Sequence, residues 1–565
     1  MKFYPSIFND CLSPIYPGPS SSNTAAPYRL GIMATDMLDG KPAHMYCEMS
    51  KSGGYFATFY GLHSDKGFLV GVLRKDMLTY DYERAYADAE SECLTYEFDF
   101  TDNVPAMPSE AAWMTLTSNT GDKLVVKTVS LGGGEIYIDD LDGIKTYIDG
   151  KYYYLLVRVS TKNASDIEKR IDLPYTCAED GRGMSLITVR SREAYSRELL
   201  SDLRAAEDVV YARCVNPVYD ILPIEEPDMP FTTAKEMFDY AARKKIPVWQ
   251  AALDYERAIS GLDDEKLMGF AENLWDLTVH AAEEGYKVTK FDGAIIEPHS
   301  AQMKALIEQG RTISLGVGDM ATADAFAVKE YGAVHGVIAG MPAGGAAGVP
   351  VSTIHHAVKH LRMTKEDGIK ALMTAAIIGI FYYPTHYHGA WGCQAEVGIS
   401  ISMTAGAVAS LISDDLDVIE RAAVLGAQSI LGQICDPIEG AGQVPCFLRN
   451  ITAVPTAIAC ANAALGGCET LTSLDEMAET LLRVGIKLKT MGLNDMGVCY
   501  YDMQCTNKAN CACTCGHYCN RDRFLGKDYA LLHTDDYEFS ACFLKRGNEQ
   551  RITGEKTYEN ISQYF

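Results

Sequence analysis

The chain has 565 residues and a mass of 61.9 kDa, more than one hydrophobic core usually organises, so several domains are expected. Its formal net charge of −25 argues against nucleic acid and against an anionic membrane surface as partners. The N-terminus has no apolar signal core, and the longest apolar run, Ala371 to Tyr383, is shorter than the roughly 20 residues that span a bilayer. A buried helix in a cytoplasmic protein is therefore expected.

Residues 1–148 have the pattern of a mixed α+β domain. A Pro/Ser-rich loop, Pro17 to Thr24, precedes a helix that should begin near Pro27. Alternating apolar residues predict strands at Lys123–Ser130 and Glu135–Ile138, joined by Gly132-Gly133-Gly134.

Residues 149–218 repeat a strand and helix pattern twice, which predicts a small ferredoxin-like βαββαβ module. The alternative is an irregular linker between two larger domains. The predicted strands are Tyr152–Val159, Ser185–Val189 and Val209–Ala212, and the predicted helices are Ala164–Ile171 and Glu193–Ala206.

The rest of the chain divides into a helical domain, residues 219–498, and a cysteine-rich tail, residues 499–565. Several prolines from Pro217 to Pro230 mark the start of the helical domain. From Ala321 onward, runs rich in Ala, Gly, Ile and Met alternate with Gly/Pro loops, which predicts a buried all-α core. Most of the 17 cysteines lie in the C-terminal half, so any metal chemistry is expected there.

Three cysteines lie in Gly- and Pro-rich segments at predicted ends of helices: Cys393, Cys435 and Cys446. Three thiolates without a fourth nearby suit a metal centre that keeps one position open for a ligand. For each cysteine alone, a buried structural role is the alternative.

The segments around these cysteines resemble the signature of the iron–sulfur-dependent L-serine dehydratases. Further loops resemble this family in the same order along the chain. The matching segments are Gly18-Pro19-Ser20-Ser21-Ser22-Asn23-Thr24, Ser130-Leu131-Gly132-Gly133-Gly134, Pro342-Ala343-Gly344-Gly345-Ala346-Ala347-Gly348, Gly392-Cys393-Gln394-Ala395-Glu396-Val397-Gly398, Cys435-Asp436-Pro437-Ile438-Glu439-Gly440 and Gln443-Val444-Pro445-Cys446-Phe447-Leu448-Arg449-Asn450.

The resemblance implies a β-type domain fused to an α-type catalytic domain that converts L-serine to pyruvate and ammonia. It implies a [4Fe–4S] cluster on Cys393, Cys435 and Cys446, and it favours an ACT-like regulatory role for residues 149–218. The implied substrate-binding residues are Ser20, Ser21, Ser22, Asn23, Thr24, Ala343, Gly344, Gly345, Arg449 and Asn450. The hydroxyl residues could instead cap a helix, and Arg449 could form a surface salt bridge.

Three departures from the family pattern leave the substrate open. Asn23 replaces a histidine, Ala343-Gly344 replaces a Thr-Asn pair, and the histidine of a Gly-His-Gly-Thr-Asp element is displaced by one position, to His63. Elimination of sulfide from L-cysteine is the alternative among lyases. A non-catalytic iron–sulfur redox sensor is the alternative of another class.

The base that removes the substrate's α-proton is predicted among His63, His386 and His388. Glu396 and Asp436 are acid or base candidates, or partners that orient the cluster ligands. A small amino acid or hydroxy acid is the expected substrate, and a homodimer is the expected assembly.

The tail contains Cys511, Cys513, Cys515 and Cys519 in a tight series. This series could bind Zn²⁺ or a second cluster, could be a flexible thiol tail, or could reach the active site.

Overall fold

A computed structural model shows a multidomain protein of mixed helices and sheets. The structure describes residues 4–12, 15–51, 53–101, 110–171, 173–291, 296–383, 392–434 and 443–490.

The described strands form sheets of two, four and six strands. In chain order they are β1 (Ile15–Pro17), β2 (Pro42–Ser50), β3 (Thr95–Thr101), β4 (Glu110–Ser118), β5 (Lys123–Gly132), β6 (Glu135–Leu141), β7 (Ile144–Ile148), β8 (Tyr153–Ser160), β9 (Tyr175–Glu179), β10 (Met184–Ser191), β11 (Val209–Val215) and β12 (Val337–Ala339).

Most of the described α-helices lie after residue 230. They are α1 (Ala26–Asp36), α2 (Gly54–Thr58), α3 (Ser64–Val72), α4 (Ala85–Ser91), α5 (Ala164–Glu168), α6 (Arg197–Arg204), α7 (Ala234–Lys244), α8 (Val248–Ser260), α9 (Asp264–Gly285), α10 (Ser300–Glu308), α11 (Gly318–Ala333), α12 (Val349–Leu361), α13 (Lys365–Ile380), α14 (Val397–Ser410), α15 (Leu416–Gln428), α16 (Leu448–Leu465) and α17 (Leu474–Thr490).

The six-stranded sheet of the N-terminal region has the order β3-β2-β4-β5-β6-β7. Only the β2–β3 pair in it is parallel. Strand β4 buries every second residue, as expected of a strand with one face on the core. Helix α1 contains Pro27 in its first turn, and β5 and β6 coincide with the two predicted strands, so the mixed character of this region is confirmed.

The middle region is a four-stranded antiparallel sheet with the order β11-β8-β10-β9. Helices α5 and α6 connect its strands in the predicted sequence order, and each is shorter than predicted. Strand β9, for which the sequence pattern gave no position, pairs with β10 at the sheet edge.

The helical region is built on close packing of small residues. All but one of the residues of α14 are buried, and the helix packs against α13, α15 and α16. A Cβ on Gly426 of α15 would lie 2.8 Å from the Cα of Ser402, so the two backbones approach each other there as only glycine allows. Helix α13 contains most of the long apolar run and is buried within this core, as predicted.

The N-terminal segment of the chain joins the helical region. Strand β1 pairs antiparallel with β12, with Tyr16 opposite Ile338. Because β12 is a strand, the prediction of an all-α domain for residues 219–498 is wrong at this position. Ile7, Cys11 and Leu12 belong to the apolar core of the helices. The first residues of the chain therefore contribute to the helical region as well as to the N-terminal region.

A buried charge network links the three regions. The Nζ of Lys151 lies 2.7 Å from Oδ1 of Asp10 and 3.2 Å from Oε1 of Glu135. The hydroxyl of Tyr383, just after α13, donates to Glu135 over 2.5 Å. The Lys151 ammonium also lies 5.6 Å from the ring centroid of Tyr219. Each charge is buried, so each depends on the others for compensation.

One helical segment of the described chain, Val444–Leu465, is long and apolar enough to cross a membrane by length and composition, and 39% of its most apolar window is buried inside the protein. Core helices of soluble proteins pass the same test, so the finding is weak evidence for a membrane span.

Helix α9 offers a matched test of backbone packing. A Cβ on Gly285 would lie 2.0 Å from the carbonyl oxygen of Ala327, whereas a Cβ on Gly269 would meet no atom within 4 Å. Gly285→Ala should lower the free energy of unfolding by about 1–3 kcal/mol, because α11 must move. Gly269→Ala should raise it by about 0.5–1 kcal/mol. Urea unfolding of both variants measures this, and equal midpoints would refute the packing described.

Candidate functional site

Two loops meet where the N-terminal and helical regions join. The serine loop, residues 20–24, follows β1, and the glycine loop, residues 343–345, follows β12. The N–H of Gly344 donates to Oγ of Ser21 over 3.4 Å. A Cβ on Gly344 would lie 1.9 Å from the Tyr16 hydroxyl, so only glycine fits beneath this tyrosine. The structure thus brings together two of the segments predicted to bind substrate.

The hydroxyl groups of the serine loop are partly engaged within the protein. Oγ of Ser20 accepts a hydrogen bond from the backbone N–H of Asn23 over 3.1 Å and lies 3.3 Å from Oγ of Ser22. Ser20 therefore caps the helical turn that follows, which was the alternative to substrate binding. Oγ1 of Thr24 donates to the carbonyl of Leu62 over 2.8 Å. These bonds fix the loop without excluding a ligand.

Asn23, one of the residues that depart from the family pattern, holds the serine loop against α2 and α3. Its Oδ1 accepts hydrogen bonds from Thr58 over 2.9 Å and from Ser64 over 3.2 Å. Its Nδ2 donates to Oγ of Ser22 over 3.0 Å. The side chain is buried, and its amide groups have partners within the protein.

His63 lies immediately before α3 with a positive φ of 61° and is buried. Its ring meets the ring of His335 edge to face, with 4.4 Å between centroids. Nδ1 of His335 lies 3.0 Å from the carbonyl oxygen of Gly18, beside the serine loop. Burial, together with His335 and Lys66, holds the pKa of His63 well below its usual range. His63 is therefore a neutral imidazole next to the serine loop.

His63 and His335, together with Glu83, have some features of a metal site. Ligand atoms of His63, Glu83 and His335 lie within 4.8 Å of one another. However, the Lys66 ammonium lies 2.6 Å from Oε1 of Glu83 and already compensates this carboxylate. The charge balance disfavours a second cation at this position.

Two of the three predicted metal ligands lie side by side. Cys393 is 1% exposed and opens a short 3₁₀ turn before α14, and Cys446 lies in the π-helical turn Gln443–Phe447 before α16. The Cys393 side chain beside it, with burial, raises the pKa of the Cys446 thiol well above its usual range. The raised pKa favours the protonated thiol in the absence of metal. Metal binding favours the thiolate instead, because a coordinating thiol loses its proton.

The segment that leads to the third cysteine approaches the same point. The backbone N–H of Gln394 donates to the carbonyl of Gln433 over 3.2 Å, and its Oε1 accepts from the N–H of Gly432 over 2.7 Å. Nη1 of Arg449 donates to the carbonyl of Ile434 over 2.9 Å. The chain is thus fixed between the Cys393 turn and α16 up to residue 434. Several predicted residues lie outside the described part of the chain: Cys435, Asp436, His386, His388, Cys511, Cys513, Cys515 and Cys519.

Asn450 joins the glycine loop to the Cys446 turn. Its Nδ2 donates to the carbonyl of Gly345 over 2.6 Å and to the carbonyl of Cys446 over 2.9 Å. Since both neighbours are acceptors, the amide orientation is fixed. Its Oδ1 is buried and has no hydrogen-bond partner among the residues that the structure describes. A buried acceptor without a partner can receive a hydrogen bond from a ligand.

Two charged side chains complete the site. A Cβ on Gly345 would lie 2.0 Å from Oε2 of Glu396, so this carboxylate packs on the glycine loop. Burial raises the pKa of Glu396, against the opposing effect of Lys329 and Arg449. Burial also lowers the pKa of Lys329 to about 8, against the opposing effects of Cys446, Glu396 and Cys393. The arrangement combines soft metal ligands with acid–base groups.

Sequence reasoning missed Tyr16, Lys329 and His335. Lys329 was detectable as a single cation in the small and apolar run Phe326-Ala327-Val328, which suggests a buried position. Tyr16 directly precedes the Pro/Ser-rich loop, but nothing in the sequence connects it with Gly344. His335 joins the site through its contacts with His63 and Gly18, which depend on the pairing of β1 with β12.

Comparisons with known proteins match the helical region of the chain. Residues 243–495 match the family model described as "Serine dehydratase alpha chain". The chain is 25% identical over 262 residues to the probable L-serine dehydratase alpha chain of Bacillus subtilis, which covers 46% of this chain and 87% of that protein.

Two longer relatives match the same region. The L-serine dehydratase of Streptomyces coelicolor is 30% identical over 263 residues, which is 45% of this chain and 57% of that protein. L-serine dehydratase 2 of Escherichia coli is 28% identical over 275 residues, which is 47% of this chain and 60% of that protein. The chain thus spans less than two thirds of these longer relatives. Residues 243–495 of the chain therefore belong to the serine dehydratase alpha-chain family.

Proposed function

We propose that the protein is an iron–sulfur-dependent lyase that removes water and ammonia from a small β-hydroxy amino acid, with L-serine as its first substrate. The observation that carries this proposal is the convergence at one point of the Cys393 turn, the Cys446 turn and the serine and glycine loops. Metal ligands and substrate-binding loops from distant parts of the chain thus share one site.

The residues present fit a [4Fe–4S] cluster. Such clusters are held by thiolates. Cys393 and Cys446 adjoin each other, and the segment that leads to Cys435 is held beside them up to Ile434. Cys393, Cys435 and Cys446 would hold the cluster. When bound, it would supply an iron without a protein ligand, a Lewis acid for the hydroxyl and carboxylate of the substrate.

Residues of the chain itself can orient the substrate and remove its α-proton. The free Oδ1 of Asn450 can accept a hydrogen bond from the substrate ammonium, and the Ser22 hydroxyl can donate to its carboxylate. His63 is the base candidate within the described residues, because it is neutral and lies next to the serine loop. Loss of the α-proton and the β-hydroxyl gives an enamine, which becomes an imine and takes up water to release pyruvate and ammonia.

Topology and composition support further parts of the proposal. The order β11-β8-β10-β9 in a βαββαβ unit supports an ACT-like regulatory module at residues 149–218, attached to an α-type catalytic domain. The acidic composition supports a cytoplasmic protein without nucleic-acid or membrane partners. A homodimer remains part of the proposal.

Turnover with defined substrates tests the activity. Protein reconstituted anaerobically with iron and sulfide should release pyruvate and ammonia from L-serine in equal amounts. Pyruvate with sulfide from L-cysteine, and no reaction with serine, would favour the cysteine alternative. A protein that binds the cluster but turns over no 3-hydroxy or 3-thio amino acid would favour the sensor.

Single cysteine variants test the ligand set with the same reconstitution. Cys393→Ser, Cys435→Ser and Cys446→Ser should each lose most of the iron–sulfur absorbance. Cys468→Ser is the matched control, because this cysteine is exposed, and it should keep the absorbance of the unchanged protein. A full cluster in any of the first three variants would refute the ligand set.

The pH dependence of turnover tests His63. Because the pKa of His63 is held well below 6.5, the proton-accepting form persists into acid. The acid limb of kcat/KM should therefore fall well below pH 6.5. His63→Asn should lower kcat by about 10²–10⁴-fold, while His360→Asn, at an exposed position, should leave it unchanged. Unimpaired turnover in His63→Asn would exclude His63 as the base.

A further inference from the structure

Lys329 is a buried cation whose position no sequence motif predicted. It lies on α11 with 1% of its surface exposed, after three apolar residues that are also buried. Its ammonium donates a hydrogen bond to the carbonyl of Gly344 in the glycine loop and lies 5.0 Å from the ring centroid of Phe447, next to Cys446. The ammonium is therefore placed between the substrate loop and the metal ligands.

Within the part of the chain that the structure describes, Lys329 forms no ion pair. Lys151, a second buried lysine, contrasts with it, because Asp10 and Glu135 both lie within 3.2 Å of its ammonium. A buried ammonium that forms no ion pair is costly, so its retention needs negative charge close by. The anion for Lys329 is expected to arrive with a ligand.

The groups around Lys329 indicate which negative charge compensates its ammonium. Cys393, Cys446 and Glu396 each act on its charge. The two thiols become thiolates when they bind a metal, so the pocket then gains negative charge beside the ammonium. The Phe447 ring also presents a negative π-face to the ammonium, although this interaction alone is weak.

We propose, on the basis of the proposed iron–sulfur function, that Lys329 is a positioning residue that supplies the counter-charge to the thiolate-bound metal centre and, with the same ammonium, fixes Gly344 of the substrate loop. Metal binding and the shape of the substrate loop are thereby coupled through one side chain.

Three substitutions separate charge from hydrogen bonding. Lys329→Met removes both, Lys329→Gln keeps a donor for Gly344 without charge, and Lys329→Arg keeps the charge. The reduction potential of the cluster, measured by an EPR-monitored titration of anaerobically reconstituted protein, is the readout. The Met and Gln variants should lower the equilibrium constant for reduction at least tenfold, about 59 mV for one electron, because a nearby positive charge favours the reduced form. The Arg variant should shift it less.

Stability of the metal-free protein gives an independent readout. Lys329→Met should unfold at the same temperature as the unchanged metal-free protein or higher, because it removes a buried charge and breaks no ion pair of the described residues. Lys151→Met is the matched control and should unfold at a lower temperature, because Asp10 and Glu135 remain buried without their cation.

An unchanged potential in both uncharged variants would overturn the proposal. If their KM for serine rose at the same time, Lys329 would be a substrate-binding residue. A lower unfolding temperature for metal-free Lys329→Met would equally contradict an uncompensated charge. Failure of the unchanged protein to take up a cluster would instead refute the proposed function itself.

Discussion

The pairing of β1 with β12 is the constraint on which the site depends. These are short strands, yet they join the first residues of the chain to the helical region. Ser21 and Gly344 meet because of this pairing, although they are 323 residues apart in sequence. Tyr16, in the middle of β1, covers the glycine loop and requires that residue 344 have no side chain. This contact brings the serine loop to the glycine loop, which Asn450 joins to the Cys446 turn.

Around this junction, polar groups are held largely by backbone carbonyls and N–H groups of neighbouring loops. Gln394 and Arg449 fix the segment before Cys435, and Asn450 fixes the glycine loop against the Cys446 turn. Such bonds fix the segments that carry the cysteines before a metal or substrate binds. This reduces the reorganisation needed on binding. The family pattern in these segments therefore reflects the scaffold as much as the chemistry.

The sequence predicted the features that local patterns encode. Strand alternation located β5 and β6. The Gly- and Pro-rich contexts of Cys393, Cys435 and Cys446 predicted three metal ligands, and the structure brings Cys393 and Cys446 together. The short strand β12 escaped prediction because three residues have no detectable period.

Contacts between distant segments also escaped prediction. The apolar run before Lys329 suggests a buried position, but only tertiary packing places its ammonium at Gly344. The substitution of the family's histidine by Asn23 suggested a changed substrate contact. In the structure the Asn23 amide instead binds Thr58 and Ser64, which a sequence cannot reveal.

The charge network around Lys151 has a consequence for how the protein folds. Asp10 comes from the N-terminal segment, Glu135 from the six-stranded sheet and Tyr383 from the helical region, and all three depend on contacts across the junction. A fragment cut near residue 150 would leave buried carboxylates without a cation or a buried lysine without an anion. The N-terminal sheet and the helical region therefore form one cooperative folding unit rather than two independent modules joined by a linker.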